Sequence, residues 1–266
     1  MEYKLITADM DGTLLNQSGE ITPRTQEAIR KAVAKGVIFS VSTGRPIQGV
    51  GIYQHILNLK APFITYNGAM IVASDTHEIL FRQELEKEDA RKILKAGRDY
   101  NTTMCVWSGN KLYGNVLNDR IHDYKKLSRV EPELIEDEEA LLEQGITKIL
   151  WYDEADSILR WQDELAEKDF TSTAFCTSKP VFLEFFHSQV SKALALEKIG
   201  EMYHISREEM IAVGDGFNDL SMIEYAGLGV AMGNAPEEIK KKAAYVTSSN
   251  EEDGIACVIE KFILKE

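Results

Sequence analysis

Two aspartates near the start of the chain have the spacing of a catalytic or metal-binding pair. They are Asp9 and Asp11, in a run that continues with Gly12 and Thr13. Side-by-side carboxylates repel each other when buried, and Mg²⁺ relieves that repulsion because it takes one or two carboxylates together with phosphate oxygens. An aspartate can also attack phosphorus as a nucleophile, while a second acid protonates the leaving oxygen and later activates water. A turn with helix-capping acids is the simpler interpretation, but the apolar run before the pair and the glycine after it argue against that.

A hydroxyl and a glycine follow a second apolar run, in Ser42-Thr43-Gly44-Arg45. The hydroxyl and the backbone N–H groups of such a turn can cradle a phosphate group. Taken alone, the motif is more typical of an ordinary capping turn at the start of a helix.

Two more motifs lie in the last third of the chain. Lys192 begins a predicted helix, where its charge opposes the helix dipole, so its position indicates an anion nearby. Residues 214–219 read GDGFND, and the acids Asp215 and Asp219 with the amide of Asn218 suit metal coordination and its support. A surface lysine and a capping turn are the simpler interpretations. The occurrence of all four motifs in this order, each at a strand end, indicates one site.

The elements between the motifs predict how they are brought together. Short apolar runs predict buried strands over 3–8, 37–42 and 63–66, with helices over 23–35 and 46–58 between them. This alternation predicts a parallel sheet with crossover helices, in which ligands bind beyond the carboxyl ends of the strands. The side chains expected at that edge are those of Asp9, Asp11, Thr43, Arg45 and Asn67.

The pattern changes after about residue 82 and returns from about residue 190. The middle segment predicts strands over 102–107, 111–117, 146–152 and 181–186, and helices over 86–100 and 155–168. The last segment predicts strands over 210–213, 228–231 and 244–247, and helices over 191–203, 218–225, 236–242 and 253–264. We therefore predict an α/β fold, with a Rossmann-like, doubly wound parallel-sheet core formed by residues 1–82 and 188–266 and an α+β cap domain inserted at 83–187. The acidic stretch 131–144 is expected to be the solvated face of a helix, with contact to a cationic partner as the alternative.

Composition limits the partners and the location. The 266 residues carry a formal net charge of −13, which disfavours nucleic acid and anionic membranes as main partners. The three cysteines are odd in number and far apart, which argues against a disulfide framework or a zinc site and fits a reducing cytoplasm. We expect no signal peptide and no membrane-spanning helix, because the N-terminus lacks a basic region before a long apolar run and no stretch approaches about 18 apolar residues.

Together the four motifs resemble those of the haloacid dehalogenase superfamily of phosphotransferases. The resemblance covers the whole chain and is greatest to the Cof-type subgroup of sugar-phosphate phosphatases, which have a large cap inserted between the second and third motifs. One difference is Ala193, since relatives often have glycine after the third-motif lysine.

The resemblance implies a role for each motif residue. Asp9 would be the nucleophile and a Mg²⁺ ligand, and Asp11 the general acid/base, which also binds Mg²⁺ through its main-chain carbonyl. Asp215 would be the second carboxylate on the metal. The remaining roles would be phosphate binding by Met10, Thr43, Gly44, Lys192 and Asn218, with support or substrate contact from Arg45, Asn67 and Asp219.

The activity expected from this resemblance is Mg²⁺-dependent hydrolysis of a small phosphorylated metabolite, with sugar phosphates favoured, by a monomer or homodimer. The cap is expected to cover the site and to select the leaving group. Three alternatives stay open at this point: a phosphomutase, which would need a second anion site in the cap, a non-catalytic binding protein on the same scaffold, and a dehalogenase. The lysines and arginines of the cap segment form no obvious phosphate motif, and the intact acids disfavour the last two.

Overall fold

The structure is a computed structural model that describes residues 2–57, 59–166 and 170–266. Its contacts divide the chain into two compact units, Met1–Phe81 with Ser191–Glu266, and Arg82–Val190. We call the first the core unit and the second the inserted unit. The boundaries predicted from the sequence, after residues 82 and 187, lie one and three residues from these.

The first part of the core unit alternates strands and helices. The elements are β1 (Leu5–Asp9), α1 (Pro23–Ala34), β2 (Ile38–Ser42), α2 (Gly51–Leu57), β3 (Phe63–Thr65), β4 (Met70–Val72) and β5 (Ile79–Arg82). Helix α1 begins as its sequence predicts, because Thr22 accepts a hydrogen bond from the Thr25 amide and Pro23 occupies the first turn.

The inserted unit follows. Its elements are α3 (Lys87–Asp99), β6 (Thr103–Ser108), β7 (Lys111–Gly114), α4 (Asp119–Ser128), β8 (Pro132–Leu134), α5 (Glu138–Gln144), β9 (Lys148–Tyr152), α6 (Ala155–Ala166), β10 (Thr173–Lys179) and β11 (Phe182–His187). The chain then returns to the core unit through α7 (Lys192–Tyr203), β12 (Met210–Gly214), α8 (Leu220–Tyr225), β13 (Leu228–Ala231), α9 (Glu237–Lys240), β14 (Tyr245–Val246) and α10 (Gly254–Ile259).

One eight-stranded sheet organises the core unit, in the order β14-β13-β12-β1-β2-β3-β4-β5. Neighbouring strands from β14 to β3 are parallel, and β4 is antiparallel to β3. All five residues of β1 are buried, so both faces of the sheet are covered. The strand order reverses between β1 and β12, which is the position where open α/β sheets bind ligands.

A six-stranded sheet organises the inserted unit, in the order β10-β11-β9-β6-β7-β8. Its neighbouring strands are antiparallel except for β7 and β8. Alternate residues of β6 and β9, such as Val106 and Trp151, pack with apolar side chains of α3, α5 and α6 in one core. The unit therefore has an apolar core of its own.

The acidic stretch 131–144 is only partly helical, and this corrects the sequence interpretation. It begins with β8, an edge strand where Pro132 is tolerated as the first residue, and only its second half forms α5. Five of its acidic side chains form ion pairs with lysines or arginines of the same unit. The pairs are Glu131 with Lys125, Glu133 with Lys111, Glu138 with Arg98, Glu139 with Arg91, and Glu143 with Lys87. Most of the stretch is thus neutralised within its own unit.

Other differences concern short elements. Strands β4, β5, β8 and β10 and helix α4 were not predicted, because they are short or lack a clear apolar period. The strand predicted over 111–117 ends at Gly114, and the helix predicted over 46–58 is divided into a short 3₁₀ turn and α2. The predicted helix ends at Asn58 and Lys168 lie outside the described residues. Among those residues, none of the helices combines the length and apolar character that crossing a membrane requires.

Two buried hydroxyls on β1 and β2 provide a matched test of the core. Within the described residues, the Thr7 hydroxyl has no hydrogen-bond partner, whereas Ser40 donates to the Pro62 carbonyl oxygen at 2.7 Å. We expect Thr7→Val to leave the free energy of unfolding unchanged or to raise it by up to about 1 kcal/mol, since it removes a desolvated hydroxyl at constant shape. Ser40→Ala should lower it by about 1–2 kcal/mol, because it leaves a buried acceptor unpaired. Chemical denaturation of both variants measures this, and equal losses would contradict it.

Candidate active site

Asp9 is the last residue of β1, at the carboxyl end of the central strand. It pairs in register with Ser42 of β2, and its side chain is 9% exposed. The crossover geometry thus places its carboxylate at the position where the strand order reverses.

Lys192 is the buried cation of this site. It is the first residue of α7, which Ser191 caps by accepting from the Leu194 amide at 3.1 Å. The Lys192 ammonium is fully buried, and it donates to Asp9 Oδ1 at 2.5 Å, to Asp219 Oδ1 at 2.6 Å and to the Ser42 carbonyl oxygen at 3.2 Å. The position of Lys192 at the start of a helix indicated a nearby anion. In the structure, that negative charge comes from two carboxylates, which belong to two other segments of the chain.

Asp219 supports this arrangement with its second oxygen. Its Oδ2 accepts from the backbone amides of Asp215 at 3.0 Å and Gly216 at 2.8 Å. Both of its oxygens are therefore engaged, and the side chain ties the turn after β12 to Lys192.

Asp215 lies beside the loop that follows β1. Thr13 Oγ1 donates to Asp215 Oδ1 at 2.8 Å. Gly12 has a φ of +82°, and a β-carbon there would overlap the Asp215 carboxylate. The glycine after the aspartate pair is therefore required for this close approach as well as for the turn.

Three carboxylates form a cluster suited to a cation. One oxygen from each of Asp9, Asp215 and Asp219 lies within 4.8 Å of the others. An all-oxygen set of this kind fits Mg²⁺ better than softer metals. Since Asp219 is already held by Lys192 and two amides, Asp9 and Asp215 are the carboxylates best placed to bind it.

Burial and neighbouring negative charge raise the pKa values of acids in the cluster. Burial raises the pKa of Asp9 to about 7. The carboxylates of Asp219 and Asp215 add to this rise, and the Lys192 ammonium opposes it. Burial also raises the pKa of Asp215. Burial alone would lower the pKa of Lys192, but the carboxylates of Asp9 and Asp219 outweigh it and raise that pKa. The cluster holds more negative charge than Lys192 can balance.

Asp11 points away from this cluster. Its carboxylate, 57% exposed, accepts from Arg45 Nε at 2.9 Å and forms a second, shorter contact with the other arm of the guanidinium. The pair therefore links the first motif to the second at the more open part of the site.

The remaining predicted residues surround the cluster. Thr43 is buried, and its hydroxyl accepts from the Arg45 amide at 3.2 Å. Asn218 donates to Asn67 Oδ1 at 3.1 Å. The side chain of Met10 is fully buried, so only its backbone could serve a ligand. A β-carbon on Gly44 would lie 3.0 Å from Asn67 Oδ1, so Asn67 covers that glycine.

Two further residues of the site were not predicted from the sequence. One is Thr13, which follows Gly12 directly in the sequence and whose hydroxyl donates to Asp215. Asn234 donates to the Gly12 carbonyl oxygen at 2.8 Å and accepts from the Asn250 amide. The sequence feature that could have identified Asn234 is its position after the predicted strand 228–231, at the same edge of the sheet as the other site residues.

Known proteins resemble this chain over almost its whole length. The family model for haloacid dehalogenase-like hydrolases matches residues 6–259. The chain is 33% identical to the 5-amino-6-(5-phospho-D-ribitylamino)uracil phosphatase YcsE of Bacillus subtilis, over 99% of this chain and 97% of that protein. It is 32% identical to the phosphatase YwpJ of the same organism, over 95% and 97% of the two chains.

A solved structure gives the same result for the fold. A haloacid dehalogenase-like hydrolase from Bacteroides thetaiotaomicron superimposes with a TM-score of 0.87 at 31% identity, covering 98% of this chain and 99% of that one. The resemblance drawn from the four motifs is confirmed. The chain belongs to the haloacid dehalogenase-like hydrolase family, as one of its phosphatases.

Proposed function

We propose that the protein hydrolyses small phosphate monoesters in a Mg²⁺-dependent reaction, through a phosphoryl group carried on Asp9. This proposal is based on one observation, namely that the Asp9 carboxylate contacts a buried cation and also belongs to the candidate metal site. One of its oxygens is held by the buried Lys192, and the side chain belongs to the oxygen cluster with Asp215. A nucleophile held by a cation on one side and a metal site on the other suits attack on phosphorus.

The reaction takes place in two displacements. The Asp9 carboxylate attacks phosphorus, an Asp9–phosphorus bond forms, and the bond to the leaving alkoxide breaks as Asp11 gives that alkoxide a proton. Water then attacks the same phosphorus while Asp11 takes its proton, and inorganic phosphate leaves with Asp9 restored. The Lys192 ammonium and the Thr43 hydroxyl stabilise charge on the phosphoryl oxygens.

The metal would be held by Asp9 and Asp215, together with the main-chain carbonyl of Asp11 that the family resemblance implies. When bound, Mg²⁺ neutralises charge that develops on the phosphoryl oxygens. Asp219 keeps Lys192 and the turn after β12 in place, since both of its oxygens are engaged by protein donors.

Arg45 controls access to Asp11 in this scheme. Asp11 can deliver a proton to a leaving group only after its carboxyl separates from the guanidinium. An anionic substrate attracts the same guanidinium, so substrate binding would release Asp11.

The proposed substrates are monoesters of sugars or sugar alcohols. The relative YcsE is named for a substrate whose phosphate is carried on a ribityl chain, which is a sugar alcohol. The same chemistry fits the preference for sugar phosphates that the family resemblance implies.

The inserted unit favours a phosphatase over a phosphomutase. A mutase must hold a second phosphate group, which lysines and arginines bind best where no carboxylate competes for them. In the described part of the inserted unit, most of the lysines and arginines already face carboxylates. They are Arg82, Lys87, Arg91, Lys92, Lys95, Arg98, Lys111, Arg120, Lys125, Lys126, Lys148 and Arg160. Lys168 lies outside the described residues.

The nucleophile is tested by Asp9→Asn. The amide keeps the size of the side chain, so we expect an unchanged circular dichroism spectrum and a fall in kcat of at least about 10⁴-fold, as for removal of a nucleophile elsewhere. The assay is hydrolysis of p-nitrophenyl phosphate with Mg²⁺. In the wild-type protein, rapid quenching should recover a phosphoryl group on the peptide that contains Asp9. Near-normal turnover by the variant would refute the assignment.

The metal ligand is tested by Asp215→Asn. Because one carboxylate ligand is lost, the Mg²⁺ concentration for half-maximal activity should rise by at least about 10-fold. Asp123→Asn is the matched control, since that aspartate is 54% exposed on α4 of the inserted unit. Chelation with EDTA should abolish wild-type activity and added Mg²⁺ should restore it. An equal Mg²⁺ requirement in both variants would count against Asp215 as a ligand.

The reaction type is tested with a panel of phosphate monoesters. The panel contains sugar phosphates, 5-amino-6-(5-phospho-D-ribitylamino)uracil, nucleotides, pyridoxal phosphate and flavin mononucleotide. We expect release of inorganic phosphate, with the highest kcat/KM among the sugar and sugar-alcohol esters. Isomerised sugar phosphate in excess of released phosphate would identify a mutase instead.

A further inference from the structure

A short left-handed turn follows β3 at the edge of the sheet that carries the site. Three consecutive residues have positive φ: Tyr66 at 51°, Asn67 at 57° and Gly68 at 105°. Such runs are rare because L-residues are strained in this region, and strained backbone persists only where its surroundings hold it. Here the Tyr66 amide donates to the Arg45 carbonyl oxygen at 3.2 Å, and the Asn67 amide donates to that of Thr43 at 3.0 Å. The turn is thus tied to the backbone of the second motif.

The same turn contacts the start of α7. A β-carbon on Gly68 would overlap the Ser191 carbonyl oxygen and would lie 3.0 Å from the Lys192 backbone nitrogen. Both are backbone atoms, so no side chain could move aside. The absence of a side chain at Gly68 therefore determines how closely α7 approaches β3. The next residue in the chain after Ser191 carries the ammonium that holds Asp9.

The side chain of Asn67 makes the third connection. Asn67 Oδ1 accepts a hydrogen bond from Asn218. The Asn67 amide group also lies over Gly44, because a β-carbon added at Gly44 would be only 3.2 Å from Asn67 Nδ2. One three-residue turn therefore contacts the Thr43–Arg45 backbone, the first residue of α7 and Asn218.

We propose that residues 66–68 are a positioning element for phosphoryl transfer, in which Gly68 sets the position of Lys192 and Asn67 sets that of Asn218. This inference rests on the proposed function. Neither residue needs to contact the substrate. Their effect is exerted through the groups that bind the transferring phosphoryl group, each of which comes from a different segment of the chain.

Gly68→Ala tests the first part. The added methyl group should displace the start of α7, and with it the Lys192 ammonium. A displacement of this kind should lower kcat by roughly 10²-fold. KM for p-nitrophenyl phosphate should stay within about threefold of wild type, because Lys192 acts mainly on the transition state. A merely destabilised protein would instead show normal kcat per folded molecule.

Gly36→Ala is the matched control. Gly36 follows α1 with a φ of +88°, and a β-carbon there meets no atom within 4 Å. It therefore carries the same left-handed backbone strain without the overlap, so kcat should equal that of wild type. Equal kcat in the two alanine variants would overturn the inference and leave the proposed function standing.

Crystal structures of the two variants separate the inference from the proposed function. In Gly68→Ala the distance from Lys192 Nζ to Asp9 Oδ1, now 2.5 Å, should exceed hydrogen-bond reach, about 3.2 Å. In Gly36→Ala it should be unchanged. A wild-type protein that hydrolyses no ester of the panel would refute the proposed function, yet this distance would still decide the inference. An unmoved Lys192 would overturn it.

A second pair of variants applies if Gly68→Ala does not fold. Asn67→Gly removes the amide and keeps a residue that tolerates positive φ, and Asn218→Ala removes its partner. If Asn67 positions Asn218, the losses in kcat/KM should be non-multiplicative, with a coupling of at least about threefold. Multiplicative losses would overturn the role of Asn67.

Discussion

The buried ammonium of Lys192 constrains the whole core unit. Removing such a charge from water costs several kcal/mol, and only close partners of opposite charge or strong acceptors offset that cost. Its three acceptors come from β1, β2 and the turn after β12, while the lysine itself begins α7. Because each N–H needs its partner, these four segments stabilise one another only when all are in place. The contacts that assemble the site therefore also stabilise the core unit.

Charge is distributed differently in the two units. In the inserted unit, the acidic stretch 131–144 lies against lysines and arginines of neighbouring elements, so its negative charge is largely compensated. In the core unit, the carboxylates of Asp9, Asp215 and Asp219 lie around one lysine. Burial raises the pKa values of Asp9 and Asp215, and the neighbouring carboxylates add to the rise. Carboxylates that lie together without enough positive charge destabilise the folded protein, and a bound divalent cation offsets this repulsion. The proposed magnesium site thus lies where the fold leaves negative charge unbalanced.

Close backbone approach is the second condition for the site. Gly12 allows the first loop to lie against Asp215, and Gly68 allows the turn after β3 to lie against α7. At both positions a side chain would collide with the neighbour. The site is therefore assembled by the backbone as much as by its charged side chains, which is why residues without reactive groups can affect its geometry.

The sequence by itself determined the α/β alternation, the insertion, and the residue types at the strand ends. These follow from local patterns, since apolar runs of strand length and capping residues act over a few positions. It also indicated that Lys192 needs an anion. The sequence was insufficient for short or polar elements such as β8 and α4, where neighbouring strands and helices decide the conformation.

Only the tertiary structure decided which groups meet. It selected Asp9 and Asp219 as the partners of Lys192, Arg45 as the partner of Asp11, and Asn234 as a support of Gly12. These partners are separated by tens to hundreds of positions, and their contacts depend on strand order and on the approach of whole segments. Local patterns contain no information on those distances. The sequence thus determined the chemistry available at the edge of the sheet, and the packing of the segments decided its geometry.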